Sequence, residues 1–269
     1  MNGAVLEIGP WQLALAFCLV FVTGAISLAR GLGLVRDLAV GAVRTFVQLF
    51  IMGYVLTLVF RLEAFWPVVL VFLVMVGSAA QIVRGRIKER SVPFGMPLLG
   101  TMLLCYSLVG YLVVGVIVQA KPWWQPQYFI PLAGMVVGNS MNALAIALER
   151  LLSDLRNRRD DVEMRLSLGA DYREASASIV RDALRAGMIP SINSMMGVGL
   201  VFIPGMMTGQ ILAGADPMTS IRYQIVIMFM LTASTALSSL LAVLLVRKRC
   251  FGPGQNLVLP RAGTADTGR

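Results

Sequence analysis

The stretch ERLLSDLRNRRDDVEMRLSLGADYREASASIVRDALRAGMIP, Glu149 to Pro190, is the one long polar segment of the chain. It holds eight Lys/Arg and eight Asp/Glu, so its formal charge is zero, and strongly apolar blocks flank it on both sides. A polar excursion of this size between apolar blocks predicts a segment that touches something outside a bilayer.

The rest of the composition agrees. Of 269 residues, 57% are hydrophobic and only 14% charged, where soluble domains carry about a quarter charged residues. The expected fold class is therefore all-α, a polytopic membrane protein. The net charge of +9 does not point to nucleic acid, because the basic residues sit in short loops between apolar runs; membrane lipid is the expected surroundings. There is no histidine, which excludes a His base, a His metal ligand or a Ser-His triad. Cys18, Cys105 and Cys250 are widely spaced and read as small apolar residues rather than a disulfide or metal framework. No G-x-x-x-x-G-K-[ST] run occurs, so the chain has no phosphate loop of that kind and is not expected to be an ATPase itself.

A helix needs about 20 apolar residues to cross the hydrocarbon core. Seven stretches meet that measure: Trp11–Ala29, Leu38–Phe60, Phe65–Val83, Met96–Val118, Phe129–Leu148, Ser191–Gly214 and Ile221–Val246. Asn193, Pro204 and several glycines interrupt the sixth. Alternate loops collect nineteen Lys/Arg on one side; Arg61, Lys121 and Arg222 lie on the other, and Arg44 lies within a span. That asymmetry predicts N-out, C-in, with Glu149–Pro190 in the cytoplasm. The first apolar run lacks a basic leader and is long enough to span, so it is expected to be a transmembrane helix and not a signal peptide. Trp123, Trp124 and Tyr128 fit an interfacial aromatic belt. Residues 1–250 are expected to form one transmembrane domain with 149–190 as its insert, and 251–269 a disordered tail.

Within the polar segment, Leu148, Leu151, Leu152 and Leu155 fall at i, i+3, i+4, i+7, one apolar helical face continuing out of the fifth span. Gly169 stops a helix, and Asp171 with Glu174 has capping-box spacing for the next. That second helix carries the apolar rows Ala175–Ile179–Ala183 and Val180–Leu184–Met188 and is expected to lie near the membrane surface, with Pro190 at the point of re-entry. Transporters driven by a separate ATPase often carry a cytoplasmic E-A-A-x-x-x-G-x9-I-x-L-P signature. Glu163, Gly169 and Ile179 keep its spacing, whereas Met164, Arg165, Arg181 and Asp182 depart from it.

Three further runs are Arg165-Leu-Ser-Leu-Gly-Ala-Asp171, Pro131-x-x-Gly-Met-x-x-Gly-Asn139, and Ile203-Pro-Gly-Met-Met-x-Gly-Gln210-Ile-x-Ala-Gly-Ala-Asp-Pro217. In this order they resemble the FetB-type permeases of ABC transporters, from the second span to Arg247. The resemblance implies a membrane subunit in a bacterial inner membrane, paired with a cytosolic ATP-binding subunit that holds ATP and Mg, with no cofactor in this chain. It further implies two permease copies with two ATPases. Bacterial members are associated with iron export and oxidative-stress tolerance, plant relatives with aluminium tolerance and nucleotide-sugar transport. ATPase coupling is then expected at Glu163, Arg165, Leu168, Gly169, Ala170 and Asp171.

The spans flanking the polar segment both read G-M-x-x-G-[NQ], at Gly134–Asn139 and Gly205–Gln210. One reading is close helix packing at Gly134, Gly138, Gly205 and Gly209. The other is a lined pathway that uses Gln48, Asn139, Met141, Asn142, Met206 and Met207, polar or polarisable groups that need protein or water beside them. Arg44 can snorkel to the nearby interface or join that pathway. No Asp or Glu lies within a span, which suits ferrous iron, a softer ion or a neutral solute better than oxidised iron. Two competing readings carry less support: an ion-coupled carrier would be expected to keep ionisable groups at mid-membrane, and an intramembrane enzyme would need a catalytic pair that is missing.

Overall fold

The structure is a computed structural model and describes residues 9–87 and 94–259. Lys88 and Arg90 of the second basic loop, and the tail beyond Leu259, lie outside the described residues. The described part is α1 (Pro10–Ala29), α2 (Val35–Leu62), α3 (Phe65–Arg86), α4 (Gly95–Tyr111), α5 (Pro126–Asn157), α6 (Arg159–Ser167), α7 (Tyr172–Ala175), α8 (Ala177–Gly197), α9 (Gly205–Leu212) and α10 (Pro217–Arg249). A π-helical stretch, Leu112–Ile117, prolongs α4. Hydrocarbon offers no partner to a peptide N–H or C=O, so apolar runs of this length close their hydrogen bonds within one helix. α1, α2, α3, α4 with its extension, α5 and α10 are each long and apolar enough to cross a membrane, with mean hydropathies of 1.5 to 2.1. The chain is a polytopic all-α membrane protein.

α5 is the central helix and packs against α3, α4, α8 and α10. Pro126 opens it at a first-turn position that needs no N–H partner. Phe129 meets Phe72 of α3 edge to face at 5.6 Å. At its other end Leu148, Leu151, Leu152 and Leu155 are buried, as their spacing predicts. α10 starts on Asp216, whose side chain accepts from the Thr219 amide at 2.9 Å. α1 and α2 form an outlying hairpin: Ser27 is the buried residue of α1 and Val59 that of α2. Trp123 joins Phe65, Tyr111 and Phe129 in an aromatic cluster with centroids 5.5 to 6.0 Å apart. Basic residues gather at the opposite end, where Arg84 lies against Gly95 and Arg247 stacks over Tyr172 at 5.6 Å.

Three expectations are corrected. The sixth stretch, Ser191–Gly214, is not one continuous spanning helix. α8 supplies its first part and ends at Gly197, residues 198–204 are non-helical, and α9 completes the return along α10. Gly199 takes a left-handed φ of +84° and Pro204 has no N–H to continue a helix. Nor does the helix after Asp171 lie on the membrane surface. α8 continues through Pro190 and runs antiparallel along α5, with Ile179, Val180, Ala183 and Gly187 buried. Lastly, the first part of the tail is folded. Phe251 pairs with Leu257 in a short antiparallel bridge, Leu257 and Leu259 are buried, and the Arg159 guanidinium donates to both their carbonyls, at 3.3 Å for Leu257.

The glycine that permits a close approach is Gly187. A Cβ there would stand 2.8 Å from the Ala143 carbonyl oxygen and 2.9 Å from the Ala147 Cβ. Of the four glycines expected to pack, a Cβ on Gly134 would touch only the mobile end of Met75, while Gly138, Gly205 and Gly209 face open space within the chain. Gly187→Leu is therefore expected to separate α8 from α5 at a cost of about 1–3 kcal/mol, read as a lower thermal midpoint of the detergent-purified protein. Gly138→Ala and Gly209→Ala should leave that midpoint unchanged.

Candidate functional site

Beyond the end of α5 the chain turns through α6, a glycine bend and α7 before entering α8. Gly169 makes the bend at φ +96°, a conformation that L side chains resist. Asp171 caps α7 by accepting from the Glu174 amide at 2.7 Å, and Glu174 returns the contact by accepting from the Asp171 amide at 3.4 Å. Glu163 turns inward and pairs with Arg159 at 2.6 Å. The expected coupling residues thus divide by position: Glu163 and Asp171 hold the segment together, while Arg165, Leu168 and Gly169 lie at its surface, Leu168 at 80% exposure. Glu163, Gly169 and Ala170 also line a cavity of about 680 Å³ whose other wall is residues 253–257 of the folded tail. The Tyr172 amide donates to Gln255 at 2.9 Å across the same junction. A hydrogen bond from Arg173 and the positive charges of Arg173, Arg247 and Lys248 hold the Tyr172 phenol below its ordinary range; the same bond raises Arg173.

Within the bundle, Asn139 and Asn142 share an exposed stripe of α5. Asn139 donates to the Met135 carbonyl at 3.1 Å, and Asn142 accepts from Arg86 at 3.0 Å. Gln48 stands apart from them. With Thr45 and Ser78 it lines a groove of about 700 Å³ between α2 and α3 whose remaining walls are apolar. Met141 and Met206 pack on the core, and Met207 is half-buried on α9. The pathway residues expected from sequence therefore occupy several walls rather than one pocket. Among the described residues no cluster of three or more His, Cys, Asp or Glu is placed to hold a metal.

Two features went unread in the sequence. One is a hydroxyl column in the core: Ser140, Ser234, Thr235, Ser238 and Ser239 are all fully buried. Ser140 bonds Ser234 at 3.0 Å, Ser191 donates to Thr235 at 3.4 Å, and Ser238 donates to the Ser234 carbonyl at 2.7 Å. This column joins α5, α8 and α10, and its signal was the doublet pair Ser234-Thr235 and Ser238-Ser239, four residues apart on one helical face. The other is the depth of the helix break. Thr232, near the midpoint of α10, meets Met195 Sδ at 3.6 Å just before α8 ends. The break thus falls midway along the longest apolar helix.

Comparison with known proteins fits this architecture. The family described as "Uncharacterised protein family (UPF0014)" matches residues 10–251. The chain is 42% identical over 231 residues to "UPF0014 membrane protein slr1647" of Synechocystis, covering 86% of this chain and 89% of that protein. It is 34% identical over 248 residues to "Probable iron export permease protein FetB" of Escherichia coli, covering 92% and 94%. It is 33% identical over 232 residues to "Protein ALUMINUM SENSITIVE 3" of Arabidopsis thaliana, covering 86% and 84%. No solved structure matches the chain. A match across nearly every described helix, with relatives covered almost end to end, means that this chain belongs to the UPF0014 family of membrane proteins.

Proposed function

We propose that the chain is the permease subunit of an ABC-type exporter, two copies working with two separate ATPase subunits that bind ATP and Mg. The observation that carries this reading is the α6–Gly169–α7 segment. It projects at the basic end, exposes Arg165 and Leu168, and continues directly into both α5 and α8. Basic ends of membrane helices stay on the cytoplasmic side, which supports an N-out, C-in arrangement with this segment within reach of a cytosolic ATPase; the membrane proposed is a bacterial inner membrane. Closure of the ATPases would press on Leu168 and its neighbours; the buried Leu148–Leu155 face and the Gly187 contact would pass the displacement to α5 and α8 together.

Iron is the proposed cargo, in keeping with the name of the Escherichia coli relative. The donors available inside the bundle are Met thioethers, Asn and Gln amides, hydroxyls and free carbonyls, a set that suits ferrous better than ferric iron. The lack of a carboxylate cluster among the described residues favours, as the second reading, a neutral or chelated solute moved by the same ATP-driven cycle. Asn139 and Asn142, which share one exposed stripe of α5, would face the pathway in either case.

The permease should co-purify from native membranes with a phosphate-loop ATPase. Gly169→Val, which forces a β-branched residue into a left-handed backbone, should cut ATP-driven transport about tenfold at an unchanged level of inserted protein. Robust transport with no ATPase present would sink the reading. Everted vesicles given ATP should accumulate ferrous iron, and Asn139→Leu should lower that uptake several-fold while leaving ATPase association intact. Uptake that responds to a neutral solute panel and not to iron would shift the assignment to the second reading.

A further inference from the structure

The break between α8 and α9 is a surface that lipid cannot cover. Leu200 and Val201 protrude at its tip, 92% and 82% exposed. Local turns close through the Gly197 and Phe202 carbonyls, but among the described residues the carbonyls of Val198, Leu200, Val201 and Ile203 accept no backbone hydrogen bond. Non-helical backbone at membrane depth has to be buried in protein or line water. The contact between Met195 and Thr232 puts this tip seventeen residues before the end of α10, about 25 Å from the basic end.

A second surface is equally unsuited to lipid. The α2–α3 groove is walled by aliphatic side chains and Met, yet exposes Gln48, Thr45 and Ser78. Gln48 lies thirteen residues into α2, about 20 Å from the same basic end. The two surfaces match in depth and chemistry: one offers two protruding aliphatic side chains ringed by acceptors, the other an apolar slot edged with the Gln48 amide, the Thr45 hydroxyl of that edge already donating to the Gly41 carbonyl at 2.9 Å. Within one chain they do not meet, since the tip residues are almost fully exposed.

We propose that the Gly199–Phe202 tip of one copy seats in the α2–α3 groove of a second copy. Leu200 and Val201 enter the slot, and Gln48 donates to the freed carbonyls. A two-fold axis makes the contact twice and closes the dimer. It also explains the outlying α1–α2 hairpin, which packs little on its own chain because its partner is the other copy. The proposal rests on the preceding reading only in taking the chain to work in pairs.

Thiol cross-linking in native membranes tests it, in a full-length chain with Cys18, Cys105 and Cys250 replaced by Ala. Copies carrying Leu200→Cys and Val74→Cys, with different tags, are treated with a short bis-maleimide. The expected result is a mixed-tag dimer at least tenfold above the pair Leu200→Cys and Leu104→Cys, and its loss on adding Gln48→Trp to the groove copy. A cross-link of Leu200 to Leu200 with none to Val74 would overturn the proposal, as would no cross-link at either position while the two tags still co-purify. Probing the same membranes for the ATPase separates the two ideas. A Leu200–Val74 cross-link without a bound ATPase leaves the dimer standing and removes the ABC reading; a bound ATPase without the cross-link does the reverse.

Discussion

α5 and α8 approach until the Ala143 carbonyl and the Ala147 Cβ leave no room for a side chain at Gly187. Much else depends on that contact. It fixes the direction in which the chain leaves the polar segment, and so the place where α8 meets α10. It brings Ser191 opposite Thr235 and Ser140 opposite Ser234, so that these four hydroxyls bond one another between three helices instead of facing hydrocarbon. Small residues and short hydroxyl bridges do here what the hydrophobic effect cannot do between helices in lipid, where apolar surfaces gain little by leaving one apolar medium for another.

The parts of the fold legible in sequence were those governed by length and period. A run of apolar residues longer than the hydrocarbon thickness has few structural options, and the Leu148–Leu155 spacing carried α5 beyond the membrane without ambiguity. Asp171 and Glu174 announced a helix start because a cap is a local event. What could not be read depended on neighbours distant in sequence. Nothing near Gly187 distinguishes it from Gly138, yet only the former faces a helix backbone. Ser191–Gly214 has the composition of a span and fails to be one continuous helix because Gly199 and Pro204 act together. Residues 251–259 look like a linker by composition, but Arg159 supplies donors for carbonyls that a linker would leave to water.

The candidate site shows the same division. The glycine bend and its cap were visible as motifs, whereas the inward turn of Glu163 onto Arg159 and its tail was not. In the membrane, sequence singled out amides because lipid rejects them, and the structure distributes them: Asn139 and Asn142 on one stripe of α5, Gln48 in a separate groove. Carbonyls without a backbone partner also gather between α8 and α9, where Pro204 and the glycines marked an interruption but not the acceptors it exposes.

The length of α5 has a mechanical consequence. At 32 residues it measures about 48 Å, against about 30 Å of hydrocarbon, so roughly 18 Å projects from the bilayer with no joint before Asn157. A rod held at the membrane surface pivots there. Moving its free end by about 2 Å sweeps the other arm by about 2.5 Å in the opposite direction as far as Pro131, the proline inside the helix, beyond which stand Phe129 and the aromatic cluster. Through this gearing, a small push outside the bilayer could rearrange the far mouth of the bundle without any helix unwinding.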